Sequence, residues 1–194
     1  MAGMDEDSDE SLLARIQGGD RQAFAILVRR HTNMFYAAAW RMCGHRQEAE
    51  DVVQDSFLKL WEKPQMWDSA RGAKFTTWFY RIVTNRAIDT VRRRKPSVAA
   101  EVMEAVPDAK ENQEESLFRT ERQAMLEEAI QSLPERQKAA LNLCFYEGLS
   151  NREAAEIMNV SVKALESLLI RAKTALKEHL SKNTQSKERR NRYA

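Results

Sequence analysis

The chain has 194 residues, 43% of them hydrophobic and 31% charged, and its 31 Lys and Arg against 29 Asp and Glu leave a formal net charge of +2. That apolar supply fits one or two compact domains and excludes a large single-core enzyme. Its 6 Gly and 4 Pro are too few for an all-β sandwich or a collagen-like chain. Cys43 and Cys144 are far apart and form no CxxC pair, so neither a disulfide framework nor a four-ligand zinc site is expected. No apolar run approaches the roughly 20 residues of a bilayer span, and acidic Met1–Glu10 lacks a signal-peptide pattern. A soluble cytoplasmic protein without membrane insertion is the expectation.

A first segment, residues 9–95, reads as helical. Gly18-Gly19 before Asp20 marks one helix ending and another being capped. From Arg21 to Met42, Phe24, Leu27, Val28, Phe35 and Trp40 recur at approximately helical spacing, and Gly44 closes the run. From Glu48 to Glu62, Val53, Phe57 and Trp61 repeat every four residues until Pro64 intervenes. Gln65 to Lys74 reads as a loop. A long helix from Thr77 to Arg94 follows, with Phe79, Ile82, Val83, Ile88 and Val91 for its core face.

Residues 96–116 hold two prolines and the acids Glu101, Glu104, Asp108, Glu111, Glu114 and Glu115, which predicts a flexible acidic linker. Helical signals resume over residues 117–180, broken at Pro134 and Gly148, and residues 181–194 read as a basic, mobile tail. The predicted fold is all-α: two small helical domains on a tether.

Three constellations stand out. Ser150 and Glu153 form a capping box before a short helix, Asn159-Val160 makes a turn, and Ser161 caps a second helix. In that helix Val162, Leu165, Leu169, Ala172 and Leu176 make the expected buried stripe, opposite Lys163, Glu166, Ser167, Ile170, Arg171, Lys173 and Lys177. This is a helix-turn-helix pattern whose second helix suits a major groove; a plain αα-hairpin is the alternative. The second constellation is Phe75 to Arg81 with Arg86 and the run Arg92-Arg93-Arg94-Lys95. Cations track phosphates and rings can stack on bases, although most of these aromatics are expected in the core. Helix-dipole complementarity explains some of the terminal cations, and four in succession exceed that need. The third is the stripe Asp51, Asp55, Leu58 and Glu62, an acidic face with an exposed leucine that suits protein docking, or simply a solvated face.

Catalytic patterns are missing. His31, His45 and His179 are scattered, and the chain has no HExxH, phosphate loop or GxSxG elbow. No enzyme activity and no cofactor are expected.

In this order, the motifs resemble a bacterial RNA polymerase sigma factor of the extracytoplasmic function (ECF) group, sigma-70 family. The resemblance rests on Glu10-Ser11-Leu12, Gly18 to Phe24, Ala49 to Phe57, Thr77 to Asn85, Leu133 to Gln137 and the helix-turn-helix with Gly148-Leu149-Ser150. It implies a region 2-like domain over 9–95 that docks on core polymerase and recognises and melts the −10 element. A region 4-like domain over 117–180 is implied to recognise the −35 element. The docking residues would be Asp51, Gln54, Asp55, Leu58 and Trp61, meeting the β′ clamp helices, while the β flap is a second implied contact. Asn85, Arg86, Asp89, Arg92 and Arg93 match the −10 reader. Arg152, Lys163, Glu166, Ser167, Ile170, Arg171 and Lys173 match the −35 reader. Glu166 stands where the family commonly carries a cation and Leu168 where another often stands; a carboxylate there can accept from a cytosine amine. Promoter DNA and an anti-sigma factor, under stress control, complete the implied partners. The competing readings are a sigma-like decoy that binds an anti-sigma factor without DNA, and a stand-alone helix-turn-helix regulator.

Overall fold

The computed structural model describes residues 8–68, 74–94 and 123–191, with side chains as far as Lys182. The acidic linker expected over 96–116 lies outside these residues, as do 69–73 of the expected loop and Lys95 of the cationic run. Among the described residues every regular element is helical: α1 (Asp9–Gln17), α2 (Arg21–Cys43), α3 (Arg46–Glu62), a 3₁₀ turn (Pro64–Met66), α4 (Phe75–Arg93), α5 (residues 123–131), α6 (Glu135–Leu141), a π-helical turn (Asn142–Tyr146), α7 (Asn151–Met158) and α8 (Val162–Asn191).

Local chemistry sets these boundaries. The Asp20 carboxylate accepts from the backbone N–H of Gln22 at 2.8 Å and of Ala23 at 3.0 Å, closing two of the free donors that open α2. The Ala23 amide and the Arg15 guanidinium hold this carboxyl below the usual carboxylate range. At the other end Gly44 adopts a left-handed φ of 67°. A Cβ there would also lie 2.7 Å from the end of the Gln131 side chain, which would have to shift, and the left-handed φ is the stronger demand for glycine. Ser150 and Glu153 close the predicted capping box around the start of α7. Asn159 makes the turn in left-handed conformation, and Ser161 accepts from Ala164 N–H at the start of α8.

Helices α2, α3 and α4 stack around a ring cluster. Phe79 lies 4.6 Å from Phe35 and 4.7 Å from Phe57 between centroids, and Tyr80 stands edge-on to Phe35. Phe75, Phe79 and Tyr80 are core, as expected, while Trp78 is half-buried against Trp67. Helix α1 is pinned across α2 by Asp9, which receives Arg30 and His31.

The C-terminal helices do not stand apart. Ala154, Ala155, Ile157, Met158, Leu165 and Leu169 belong to the same continuous core as the α1–α4 side chains, and α4 packs directly on α6 and α7. Two sequence expectations change. Val162, placed in the buried stripe, is 41% exposed, because the first residue of α8 projects past the end of the packed surface. The expected tail does not separate at Ser181: α8 runs on to Asn191, and no Gly or Pro follows Ser161 to stop it.

Candidate nucleic-acid interface

The two outward faces of α3 and α4 meet in a groove of about 730 Å³. From α3 come Glu48, Asp51, Asp55 and Lys59; from α4 come Arg81, Asn85, Arg86, Asp89 and Arg93. The placement follows from register. Arg81, Asn85, Asp89 and Arg93 are spaced by four and form one exposed stripe, opposite the buried Phe79, Val83 and Ala87. On α3, Ala49, Val52, Val53, Ser56, Phe57 and Leu60 face inward, leaving Asp51, Gln54, Asp55 and Leu58 outside. Leu58 is 50% exposed, a large apolar side chain in an otherwise polar face. Trp61 differs from the other docking candidates: it is half-buried, its ring 5.1 Å from that of Phe24.

The groove joins residues that the sequence assigns to different tasks. Arg86 donates to the Asp55 carboxylate at 2.8 Å. Below the groove, Trp67 is buried and its carbonyl accepts from Gln17 at 3.1 Å, which anchors the chain leading into the loop.

The cationic run at the end of α4 divides. Arg93 is exposed on the groove. Arg92 is exposed and pairs with Glu135 of α6 at 3.2 Å. Arg94 turns inward, bonding the Glu48 carboxylate and the Cys43 carbonyl, with its side chain only 16% exposed. It therefore closes the joint between α2 and α3 rather than joining a phosphate-facing surface, because the chain leaves helical geometry there and Glu48 lies within reach.

On the C-terminal side, all seven candidates on α7 and α8 are exposed. Leu165, Leu169 and Ala172 are buried beneath them, which fixes the rotation of α8. Ile170 is the most open large apolar side chain among the described residues, at 66% exposure, and an aliphatic group so placed suits a thymine methyl. The Lys173 ammonium sits 4.9 Å from the Phe145 ring centroid, which steadies its long side chain by a cation–π contact. Arg152 leans toward Glu156 at 3.5 Å and stays open to solvent.

The sequence site set omits Lys59 and Arg81 from the groove. Arg81 carried a usable signal, since it begins the four-residue repeat that also contains Asn85, Asp89 and Arg93. Among the described residues no group of three or more His, Cys, Asp or Glu is disposed to hold a metal ion. No described helix is long and apolar enough to cross a membrane.

Comparison with known proteins accounts for this combination. The family model "Sigma-70 region 2" matches residues 27–96, and "Sigma-70, region 4" matches residues 123–176. The RNA polymerase sigma-H factor of Pseudomonas aeruginosa is 34% identical over 187 residues, covering 90% of this chain and 95% of that protein. The ECF RNA polymerase sigma factor SigW of Bacillus subtilis is 30% identical, covering 87% of this chain and 94% of SigW. Among solved structures, CnrH in complex with the cytosolic domain of CnrY aligns with a TM-score of 0.64 at 26% identity, covering 89% of this chain and 97% of CnrH. The sigma factor RpoE in complex with the anti-sigma factor NepR from Bartonella quintana shares the fold, with a TM-score of 0.63 at 21% identity over 79% of this chain and 94% of RpoE. The chain belongs to the sigma-70 family as an ECF-type RNA polymerase sigma factor, a transcription initiation factor and not an enzyme.

Proposed function

We propose that α3 docks this sigma factor on the β′ clamp helices of core RNA polymerase, that α4 with the preceding loop reads and opens the −10 element, and that α8 reads the −35 element. The observation that carries this reading is the shared groove, where an acidic face and a cation-bearing face meet around Asp55 and Arg86. Asp51, Gln54, Asp55 and Leu58 offer carboxylates around one exposed apolar side chain, a composition suited to a basic partner helix. Taking a base out of the stack costs a few kcal/mol, and phosphate-neutralising Arg86, Arg92 and Arg93 would help offset that cost once DNA replaces the Asp55 and Glu135 carboxylates now paired with Arg86 and Arg92.

Lys163, Glu166, Ser167, Ile170, Arg171 and Lys173 mix donors, one carboxylate, one hydroxyl that can donate or accept, and one aliphatic group, as direct readout of base edges requires. Arg152 on α7 suits a flanking phosphate. The working divisions are 9–95 for polymerase docking and −10 opening, 96–116 for the linker, 117–180 for −35 recognition with the β flap as its polymerase contact, and 181–194 for the tail. The protein acts in the cytoplasm and is held inactive by an anti-sigma factor, as the complex of RpoE with NepR suggests for a protein of this fold.

Mapping transcription start sites with purified core polymerase tests the reading. The expected result is a discrete set of starts, each preceded by the same pair of spaced elements and present only when this protein is added. Core binding with no DNA contact and no starts would favour the decoy, and tight operator binding without polymerase would favour the stand-alone regulator.

A further inference from the structure

Helix ends carry orphan groups and partial charges, negative where carbonyls are left over at a C-terminus. Three helix ends converge on Arg94. Its backbone closes α4, where its N–H bonds the Val91 carbonyl at 3.2 Å and its own φ and ψ, −62° and 132°, leave the helix. Its guanidinium reaches back to the other two. Nη2 donates to the Cys43 carbonyl in the last turn of α2. Nε donates to Oε1 of Glu48, in the first turn of α3, at 3.0 Å, and Nη2 donates to Oε2 of the same carboxylate. Two bonds to one carboxylate fix the planar fork in orientation as well as in distance.

Two ion pairs thus cross between α3 and α4, and they differ in shelter. Arg86–Asp55 stands in the open groove. Arg94 and Glu48 are only 16% and 27% exposed, so water competes less for them, and removing one partner leaves the other charge poorly solvated. The sheltered pair lies at the part of the groove that Glu48 lines, and Arg94 directly follows the groove residue Arg93 in the chain.

We propose that Arg94 is a positioning residue for strand opening: bonded to Glu48 and to the Cys43 carbonyl, it fixes the last turn of α4 against α3, and so sets where Arg86 and Arg93 meet the −10 phosphates, while touching no DNA itself. The inference rests on the docking and melting reading above. The open pair exchanges partners when polymerase and DNA arrive, and the sheltered pair keeps α4 in register with α3 as it does so. One consequence is specific. The Glu48 carboxylate, a negative charge lining a DNA-facing groove, aids opening. Were Arg94 a phosphate contact, Glu48 would compete with DNA for it, and removing that carboxylate would help. The two roles predict opposite signs for one substitution.

The test uses the full chain with core polymerase at a mapped promoter, comparing wild type with Glu48→Gln, Arg94→Gln and the double variant. Permanganate reactivity reads the rate of −10 opening, titration reads core affinity, and thermal unfolding establishes that each chain is folded at the assay temperature. The expected result is core affinity within about twofold of wild type and opening slowed roughly fivefold or more by either single substitution. The double variant should lose no more than the singles, because all three break the same joint. Should either single variant fail to fold, Arg94→Lys decides alone, since it keeps the charge and loses the fork: slowed opening upholds the positioning role and opening at the wild-type rate overturns it. Glu48→Gln that opens as fast as wild type or faster would overturn the role, as would additive losses in the double variant, or core affinity falling in step with opening. Wild type that opens no promoter would overturn the melting reading and this inference with it, whereas variants that match an active wild type would overturn the inference alone.

Discussion

Arg86 of α4 and Asp55 of α3 hold one another across the groove at 2.8 Å. A residue proposed to meet DNA is thereby paired with one proposed to meet polymerase. Their side chains are 37% and 52% exposed, and exposed pairs contribute at most about 1 kcal/mol, so a partner's cation can take Asp55 at little cost. That exchange would leave Arg86 free for a phosphate just when docking occurs.

Charge reversal on α3 should therefore separate two activities. Asp51→Lys combined with Asp55→Lys is expected to weaken core binding at least tenfold, about 1.4 kcal/mol or more, because it opposes a basic partner with like charge. Duplex binding through α8 should not fall. Fluorescence titration with labelled core and labelled duplex checks both, and equal core affinity would remove α3 from the docking surface.

Much of this arrangement was legible in the chain. Asp20, Gly44, Ser150, Glu153 and Ser161 announced helix boundaries because capping and left-handed turns need particular side chains. The apolar periods placed Phe79, Leu165 and Leu169 inward. What partners those stripes was hidden: period tells which face is buried, not against which helix. Glu147, Lys138 and Asn142 are polar, so an apolar period passes over them and the contacts joining the two halves left no hydrophobic pattern. Arg94 reads as one more exposed cation of the run because nothing local distinguishes it from Arg93; Glu48, distant in sequence, makes the difference.

Phe79 sits at the centre of the ring cluster and is fully buried. Phe79→Ala should destabilise the protein by about 3–5 kcal/mol through lost burial and a residual cavity. Thermal or urea denaturation measures this, and a loss below about 1 kcal/mol would contradict the packing described.

Base reading by α8 is tested one residue at a time. Arg171→Ala should cost about 1–3 kcal/mol on a mapped promoter if it meets a base edge, with specificity relaxed at one position. Arg152→Ala should instead weaken binding uniformly across sequences and reduce the salt slope by about one. Glu166→Lys should change the preferred base where the carboxylate faces a cytosine amine. Selection from a randomised −35 library distinguishes these outcomes.

Burial at the seam predicts an unusual pH response. Desolvation lowers the Lys138 pKa from 10.5 to about 8, with the Arg94 charge adding to the effect. The unfolded chain binds this proton more tightly, so the Lys138 contribution to stability rises with pH from about 8 toward 10.5. From pH 7 to 9 the gain is about 1 kcal/mol. Cys43, pushed up to about 12 by burial, acts oppositely above its ordinary value of 9.0, since the unfolded thiol ionises first and favours unfolding. Denaturation of wild type and Lys138→Met at the two pH values isolates the lysine contribution, because Cys43 is present in both. Wild type should gain relative to the variant; parallel curves would place Lys138 in water.

Strand opening at a mapped promoter is the most direct measurement of the central claim that α4 melts the −10 element while α8 grips the −35 element. Permanganate reactivity near −10 and nuclease protection near −35 are read together, using core polymerase with wild type or with Arg86→Ala combined with Arg93→Ala. The account predicts that the double variant loses most −10 reactivity and keeps −35 protection. Undiminished opening, or loss of both signals together, would contradict it.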